Sequence, residues 1–202
     1  IDSILYALAN ISHPVNGYGR YDDSFSIYEA LTEMGENPWF RIGDKDLALS
    51  LIRTQKLNSG LPLTQIIHEI SNLLGVTYSI YPMTDGRIQT KIETTNQGIL
   101  DFQEYFVKYQ FMPEIKEVIY SNSDDAKLCS KAKEALEKSS AVVICPSNPW
   151  LSIFPILSIQ GVKEILKSKN VIAVSPIIGH DAIKGPTAKI FREFGVKPSA
   201  LE

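Results

Sequence analysis

Two short runs of β-branched and apolar residues, each halted by a proline, constrain this chain more than anything else in it. Ala141-Val142-Val143-Ile144 leads into Cys145-Pro146-Ser147-Asn148-Pro149, and residues 171–175 lead into Pro176. Such runs read as buried strands, and proline ends a ladder because it has no N–H to donate. Helical stretches separate the two runs, which is the rhythm of an open α/β sheet, where ligands bind beyond the carboxyl ends of the strands. Adjacent parallel strands bring both proline turns to one rim. Lys184-Gly185-Pro186 then starts a helix whose N–H groups could face that rim. The Pro-Ser-Asn-Pro turn offers a hydroxyl, a carboxamide and free backbone N–H groups, which suit a phosphate or a nucleobase edge. It reads equally as an ordinary strand-to-helix loop.

The rest of the chain supplies the flanking elements. Helices are expected over residues 2–12, 25–34, 44–58 and 63–74. In the last of these Ile66, Ile67, Ile70, Leu73 and Leu74 form one apolar stripe, entered at Pro62 and Thr64 and left at Gly75. Strands follow at 77–82, 88–94 and 99–107, with Asn96-Gln97-Gly98 as the hairpin turn and residues 118–120 as an added edge. The α/β rhythm resumes with helix 125–138, strand 141–145, helix 160–168, strand 171–175 and helix 185–194. Asn16-Gly17-Tyr18-Gly19 reads as a turn. The expectation is a single α/β domain over residues 1–202, with an open, largely parallel sheet flanked by helices and an inserted β-hairpin region.

Composition narrows the function classes. With 44% hydrophobic and 21% charged residues the chain has the balance of a soluble globular protein, and a net charge of −3 gives no reason to expect nucleic-acid or bilayer binding. No apolar run approaches the roughly 20 residues that span a membrane. Cys129 and Cys145 are far apart. Cys145, at the end of an apolar strand, is expected as a buried, reduced thiol. His13, His68 and His180 share no metal-ligand spacing, so a zinc site is not expected.

Chemistry-bearing residues cluster before and within the helix that starts near residue 44. Gly43 permits close approach of the backbone to a ligand, and Asp44 and Asp46 lie in the first turn, where caps and acids also simply favour the helix. Asp46, Ser50 and Arg53 share one face, which is either a solvated face or a cleft wall. Arg41 sits between Phe40 and Ile42, a setting that costs desolvation unless the guanidinium meets an anion or acceptor. In residues 102–106 either both strand faces are covered, or Gln103 and Tyr105 point into a pocket.

Taken in order, several segments resemble the 2-phospho-L-lactate transferases of coenzyme F-420 biosynthesis. They are Asp2-Ser3-Ile4-Leu5-Tyr6-Ala7-Leu8, Asp23-Ser24-Phe25, and Trp39-Phe40-Arg41-Ile42-Gly43-Asp44-Lys45-Asp46-Leu47-Ala48. Pro82-Met83-Thr84-Asp85, Phe102-Gln103-Glu104-Tyr105-Phe106-Val107 and Cys145-Pro146-Ser147-Asn148-Pro149 continue the series. Ser152-Ile153-Phe154-Pro155-Ile156-Leu157, Ala173-Val174-Ser175-Pro176-Ile177-Ile178-Gly179 and Lys184-Gly185-Pro186 complete it. Each motif alone is weak; the ordered set is specific.

The resemblance implies a Rossmann-like α/β fold and a cytoplasmic, magnesium-dependent enzyme, with a homodimer as its assembly. It implies transfer of a phospholactyl (or phosphoenolpyruvyl) group from a guanosine diphosphate conjugate to the ribityl hydroxyl of 7,8-didemethyl-8-hydroxy-5-deazariboflavin, with GMP as leaving group. Asp2 and Arg41 fall at deazaflavin-binding positions, Asp2 also close to the metal. Asp44, Asp46, Ser147 and Asn148 carry over as further binding residues. The family's first strand, its Gly-rich loop and its tail have no counterpart here, so the chain is expected to be a fragment: if the molecule begins at Ile1 little or no transfer activity is expected, and if the sequence covers only part of it the full protein is expected to be an active transferase. The alternative from another class is a non-catalytic nucleotide-sugar-binding regulator of related fold.

Overall fold

The computed structural model describes residues 1–15, 19–123, 125–179, 181–182 and 185–200. Within it the chain forms two compact units, residues 1–85 and 86–202. The Asn16-Gly17-Tyr18 part of the expected turn, His180 and Lys184 lie outside the described residues.

The first unit is helical: α1 Asp2–Leu8, α2 Ser26–Glu33, α3 Asp44–Asn58 and α4 Leu63–Leu73. Its core joins Leu5 and Tyr6 of α1, Leu49 of α3, and Ile66, Ile67 and Ile70 of α4. Each fully covered aliphatic side chain there contributes about 1.5–3 kcal/mol of transfer free energy. The expected α4 stripe holds except at its end, where Leu73 is 84% exposed. Helix α1 is shorter than the expected 2–12: Asn10 takes a positive φ of 56°, and Ser12 bridges Arg20 instead. Residues 77–82 are not a strand, and no strand of the described residues pairs with them.

The second unit carries the sheets. Strands β1 Gln89–Thr94, β2 Gly98–Asp101 and β3 Ile115–Ser121 form an antiparallel sheet in the order β2-β1-β3. Gly98, at φ 69°, closes the hairpin opposite Thr94. Ile92 of β1 pairs Leu100 and Val118 and is fully buried with Tyr105, Ile115 and Ile190. Beyond α5 Ser130–Lys138, strand β4 Ala141–Ile144 reaches β5 Asn170–Ala173 through α6 Phe154–Leu157 and α7 Val162–Lys167, and the two strands pair in parallel. A two-residue hairpin, β6 Ile177–Ile178 and β7 Asp181–Ala182, and α8 Thr187–Glu193 complete the unit.

Three further expectations need correction. Among the described residues parallel pairing is confined to β4 and β5, and the largest sheet is antiparallel, so the α/β class holds while a largely parallel sheet is only partly realised. The strand expected over 99–107 ends at Asp101, and the chain winds into a π-helical turn, Glu104–Lys108. That winding buries Tyr105, whose hydroxyl donates to the Phe111 carbonyl at 3.2 Å, and sets Phe102 against Phe106, four residues on. Finally, the buried thiol is Cys129, whose Sγ accepts from Ala132 N–H at the start of α5, whereas Cys145 is exposed.

Candidate functional site

In the first unit, α1 and α3 meet along a polar seam. Arg53 grips Asp2 with a two-pronged fork, Nη1 to Oδ1 at 2.6 Å and Nη2 to Oδ2 at 2.8 Å. Ser50 Oγ accepts from the same guanidinium at 3.3 Å. Both partners are largely shielded, with side-chain exposures of 19% for Arg53 and 30% for Asp2. One turn further along α1, Tyr6 donates its hydroxyl to Asp46 Oδ1 at 2.7 Å. The stripe Asp46, Ser50, Arg53 is therefore the surface by which α3 holds the polar residues of α1.

Electrostatics in the seam are strongly biased. Burial pushes the Tyr6 phenol well above its ordinary range, and the bond to Asp46 with the negative charges of Asp46 and Asp2 pushes it further. The phenol stays protonated and serves as a donor. The bond to Asp2 raises the Arg53 pKa, so the guanidinium stays charged. Arg20 lies over the Tyr6 ring, 5.7 Å from its centroid.

Asp44 has a different task. Its carboxylate accepts from Ser24 Oγ, Ser26 N–H and Ile27 N–H at 2.8–3.1 Å, and these bonds hold its pKa below the ordinary aspartate value. The close approach at Gly43 is made by the chain itself, since a Cβ there would stand 2.2 Å from Asp23 Oδ2. Arg41 is exposed, so the desolvation expected of it does not arise; its guanidinium rests 4.0 Å above the Phe25 ring, with Tyr28 at 5.8 Å.

In the second unit, a cavity of ≈ 420 Å³ opens at the rim of the β4–β5 pair. Pro146, Ser147 and Asn148 form one side and Pro176 belongs to the other turn, as adjacency of the two proline stops requires. Asn148 is fixed at both ends of its amide: Oδ1 accepts from Leu151 N–H at 3.0 Å, and Nδ2 donates to Thr187 Oγ1 at 3.1 Å. It thereby caps a second π-helical turn, Pro149–Ile153. Gly185, Pro186 and Thr187 close the cavity from the α8 end.

Ser147 and Asn148 thus come together with one another, and Asp2 and Asp46 share the α1–α3 seam. Sequence reasoning passed over Tyr6, Thr187 and the pair Phe102 and Phe106, which line the cavity where Gln103 and Tyr105 had been considered. The i, i+4 spacing of the two phenylalanines is the signal that identifies them, once residues 102–106 are read as helical. Among the described residues no group of three or more His, Cys, Asp or Glu side chains is arranged to hold a metal ion, and no helix is long and apolar enough to cross a membrane.

Comparison with known proteins is consistent over the whole chain. A family model described as "2-phospho-L-lactate transferase CofD" matches residues 1–200. A 2-phospho-L-lactate transferase of Methanocaldococcus jannaschii is 41% identical over 198 residues, covering 96% of this chain and 64% of that protein. Those of Methanococcoides burtonii and Methanopyrus kandleri are 38% and 39% identical over 200 residues, covering 99% and 98% of this chain and 65% and 64% of theirs. The chain thus spans just under two thirds of the length of these relatives. A solved structure of a UPF0052-family protein from Bacillus halodurans aligns with a TM-score of 0.53 at 20% identity, covering 85% of this chain and 51% of that one. At that identity the likeness concerns the fold.

Proposed function

The chain belongs to the 2-phospho-L-lactate transferase CofD family, and on that premise we propose that it takes part in transferring a phospholactyl (or phosphoenolpyruvyl) group to a deazaflavin alcohol. The donor is the guanylylated phospho-acid, a guanosine diphosphate conjugate in which the terminal phosphorus carries the acid. The ribityl hydroxyl oxygen attacks the phosphorus next to the acid, the bridging P–O bond breaks, GMP leaves with the bridging oxygen, and the hydroxyl proton is lost. The observation that carries this reading is the match of residues 1–200 to one family, at 38–41% identity to the three relatives named above. A nucleotide-sugar-binding regulator is not favoured, since the family model and the three relatives named above are all described as 2-phospho-L-lactate transferases.

Attack on a diphosphate depends on placement and charge neutralisation more than on covalent catalysis. Asp2 and Asp46 are the carboxylates available for a magnesium ion. The Arg53 fork engages one lone-pair direction on each Asp2 oxygen, and a carboxylate has about four such sites, so coordination is still open to it. Hard oxygen donors suit an ion that takes the remainder of its shell from water and phosphate. When bound, the ion supplies positive charge to the diphosphate.

The chain's own groups divide the remaining work. Arg53 and Ser50 hold the Asp2 carboxylate in one orientation, and Tyr6 does the same for Asp46. Arg41, exposed and seated on Phe25, is free to meet the acceptor or the diphosphate. Ser147 and Asn148 bind substrate at the cavity of the second unit. Asp44 secures the start of α2 beside Arg41's aromatic seat.

The test is incubation of the intact protein with guanylylated phospholactate, the deazaflavin and magnesium, with mass spectrometry for the phosphodiester and GMP. Both products are expected. Their absence while both substrates bind would overturn the reading.

A further inference from the structure

Helix α8 makes contact with the segments that wall the cavity of the second unit. Thr187 accepts from the amide of Asn148 at 3.1 Å, which fixes the turn after β4. Phe191 and Phe194 pack on Trp150, with ring centroids 4.8 and 5.2 Å from its own, and so hold the π-helical turn Pro149–Ile153. Ala188 and Phe191 are buried together with Ile177, the residue after Pro176. Lys189 reaches the other π-helical turn, Glu104–Lys108: its Nζ donates to Tyr105 Oη at 3.3 Å, to the Pro113 carbonyl at 2.9 Å, and to Glu193 Oε1.

Of these attachments, the one through Lys189 is an odd choice for packing alone. A long, flexible cation held at 29% exposure costs side-chain entropy and desolvation that an apolar residue there would not. What it provides is direction. An ammonium only donates and a carbonyl only accepts, so the Tyr105 hydroxyl takes its bond from Lys189 and gives its own proton to the Phe111 carbonyl. Burial and the charge of Glu193 push the phenol's pKa upward, and that proton stays in place. Glu193 in turn accepts from Ile115 N–H at 3.4 Å, tying α8 to β3. A π-helical turn has weak bonding of its own and relies on its surroundings for its shape, and such turns recur at functional sites. Fixing Tyr105 therefore fixes its neighbour Phe106, a cavity wall, and with it Phe102, stacked on Phe106 at 5.6 Å.

We propose that Lys189 is a positioning residue: acting through Tyr105 and the π-helical turn that carries it, Lys189 sets the cavity wall against the substrate group bound by Ser147 and Asn148. The role rests on the transferase reading for what enters the cavity, and on the hydrogen bonds of Lys189 for how the wall is held.

The experiment compares the intact protein with Lys189→Met, Lys189→Arg, Tyr105→Phe and the Lys189→Met, Tyr105→Phe pair. Each is titrated calorimetrically with the free deazaflavin and, separately, with GDP, and its melting temperature is measured. Lys189→Met and Tyr105→Phe are each expected to weaken one of the two ligands by about 3- to 10-fold, the worth of one hydrogen bond. The pair should weaken it no more than Lys189→Met alone, because both substitutions break the same route. Lys189→Arg should recover part of the affinity, since a cation can again donate to Tyr105 and Pro113. Unchanged affinity for both ligands, whatever the melting temperature, makes Lys189 a purely structural residue and overturns the proposal. Additive losses in the pair overturn it as well, since Lys189 then does not act through Tyr105. If Lys189→Met fails to fold, Tyr105→Phe, which keeps the buried ring, decides: parent affinity for both ligands overturns the proposal. Weakened binding in the variants, with no product from the parent, overturns the transferase reading and keeps the role of Lys189. A parent that binds neither ligand overturns both.

Discussion

Asp23 and Asp44 cap each other's helices. Asp23, which precedes α2, accepts from Lys45 N–H at 2.8 Å and Asp46 N–H at 3.3 Å, at the start of α3. Asp44, the first residue of α3, accepts from Ser26 and Ile27 N–H at the start of α2. Each helix thus has its orphan amides satisfied by a carboxylate some twenty residues away. The exchange ties the starts of α2 and α3 together, and Arg41 lies three residues before the second of them.

Gly43 makes that exchange possible by leaving space for the Asp23 carboxylate. Its φ of −73° is ordinary, so the requirement is for room and not for conformational freedom. Gly43→Ala is expected to displace Asp23 and lower stability by about 1–2 kcal/mol, the usual worth of a lost cap. Asp23→Ala should cost a similar amount, and the double variant little more than either alone. Additive losses in urea denaturation would refute the coupling.

Acid should weaken the same junction. The Asp44 carboxyl has a lowered pKa in the folded state, chiefly through the Ser24 hydroxyl. Folding is then favoured by its ionised form above the unfolded aspartate value, and that contribution fades as pH falls below about 4. Glu69, whose pKa is lowered by Lys56 and Gln65, acts in the same direction. The denaturation midpoint of Asp44→Asn is expected to fall less steeply between about pH 4 and pH 2 than that of the parent. Parallel curves would remove Asp44 from the account.

Local signals explain which parts of this architecture were readable beforehand. Helix α3 is bounded by Gly43 and by Ser59-Gly60, and its limits are as expected because caps act within a few residues. The two proline stops meet at one cavity for the same reason, since strand order and turn position both lie in short segments. The Asp2–Arg53 fork joins residues 51 apart, and no spacing rule reveals it. Residues 102–106 read as strand because a strand and a helical turn share their run of aromatics, and only tertiary burial of Tyr105 decides between them. Cys145 reads as buried because β-branched neighbours normally signal burial, yet β5 beside it exposes all four of its residues. The family itself was legible from an ordered set of motifs, none of them informative alone.

The fork between Arg53 and Asp2 predicts a separation between charge and geometry. Arg53→Lys keeps the charge but reaches Asp2 as a point donor, not a fork. It is expected to lower stability by about 1 kcal/mol and to raise the KM for the deazaflavin several-fold while leaving KM for the donor near its parent value. Asp2→Asn should do the same, and the Arg53→Lys, Asp2→Asn pair should be clearly non-additive. A purely structural fork would move the melting temperature and leave the KM values alone.

Arg41 provides the sharpest contrast, because its environment is almost the reverse. The guanidinium is exposed and held only by the faces of Phe25 and Tyr28, contacts worth about 0.5–1 kcal/mol at an open site. Arg41→Ala should therefore shift the denaturation midpoint very little. If the exposed charge meets the acceptor or the diphosphate, as proposed, the same substitution should weaken deazaflavin binding by at least about tenfold, the 1.4 kcal/mol of one charge-assisted hydrogen bond. Arg41→Lys should restore part of that affinity, since a charge remains although the planar contact with Phe25 is lost. Titration of the three proteins with the free deazaflavin decides the matter: equal affinities would leave Arg41 as a surface residue on an aromatic seat, with no part in acceptor binding.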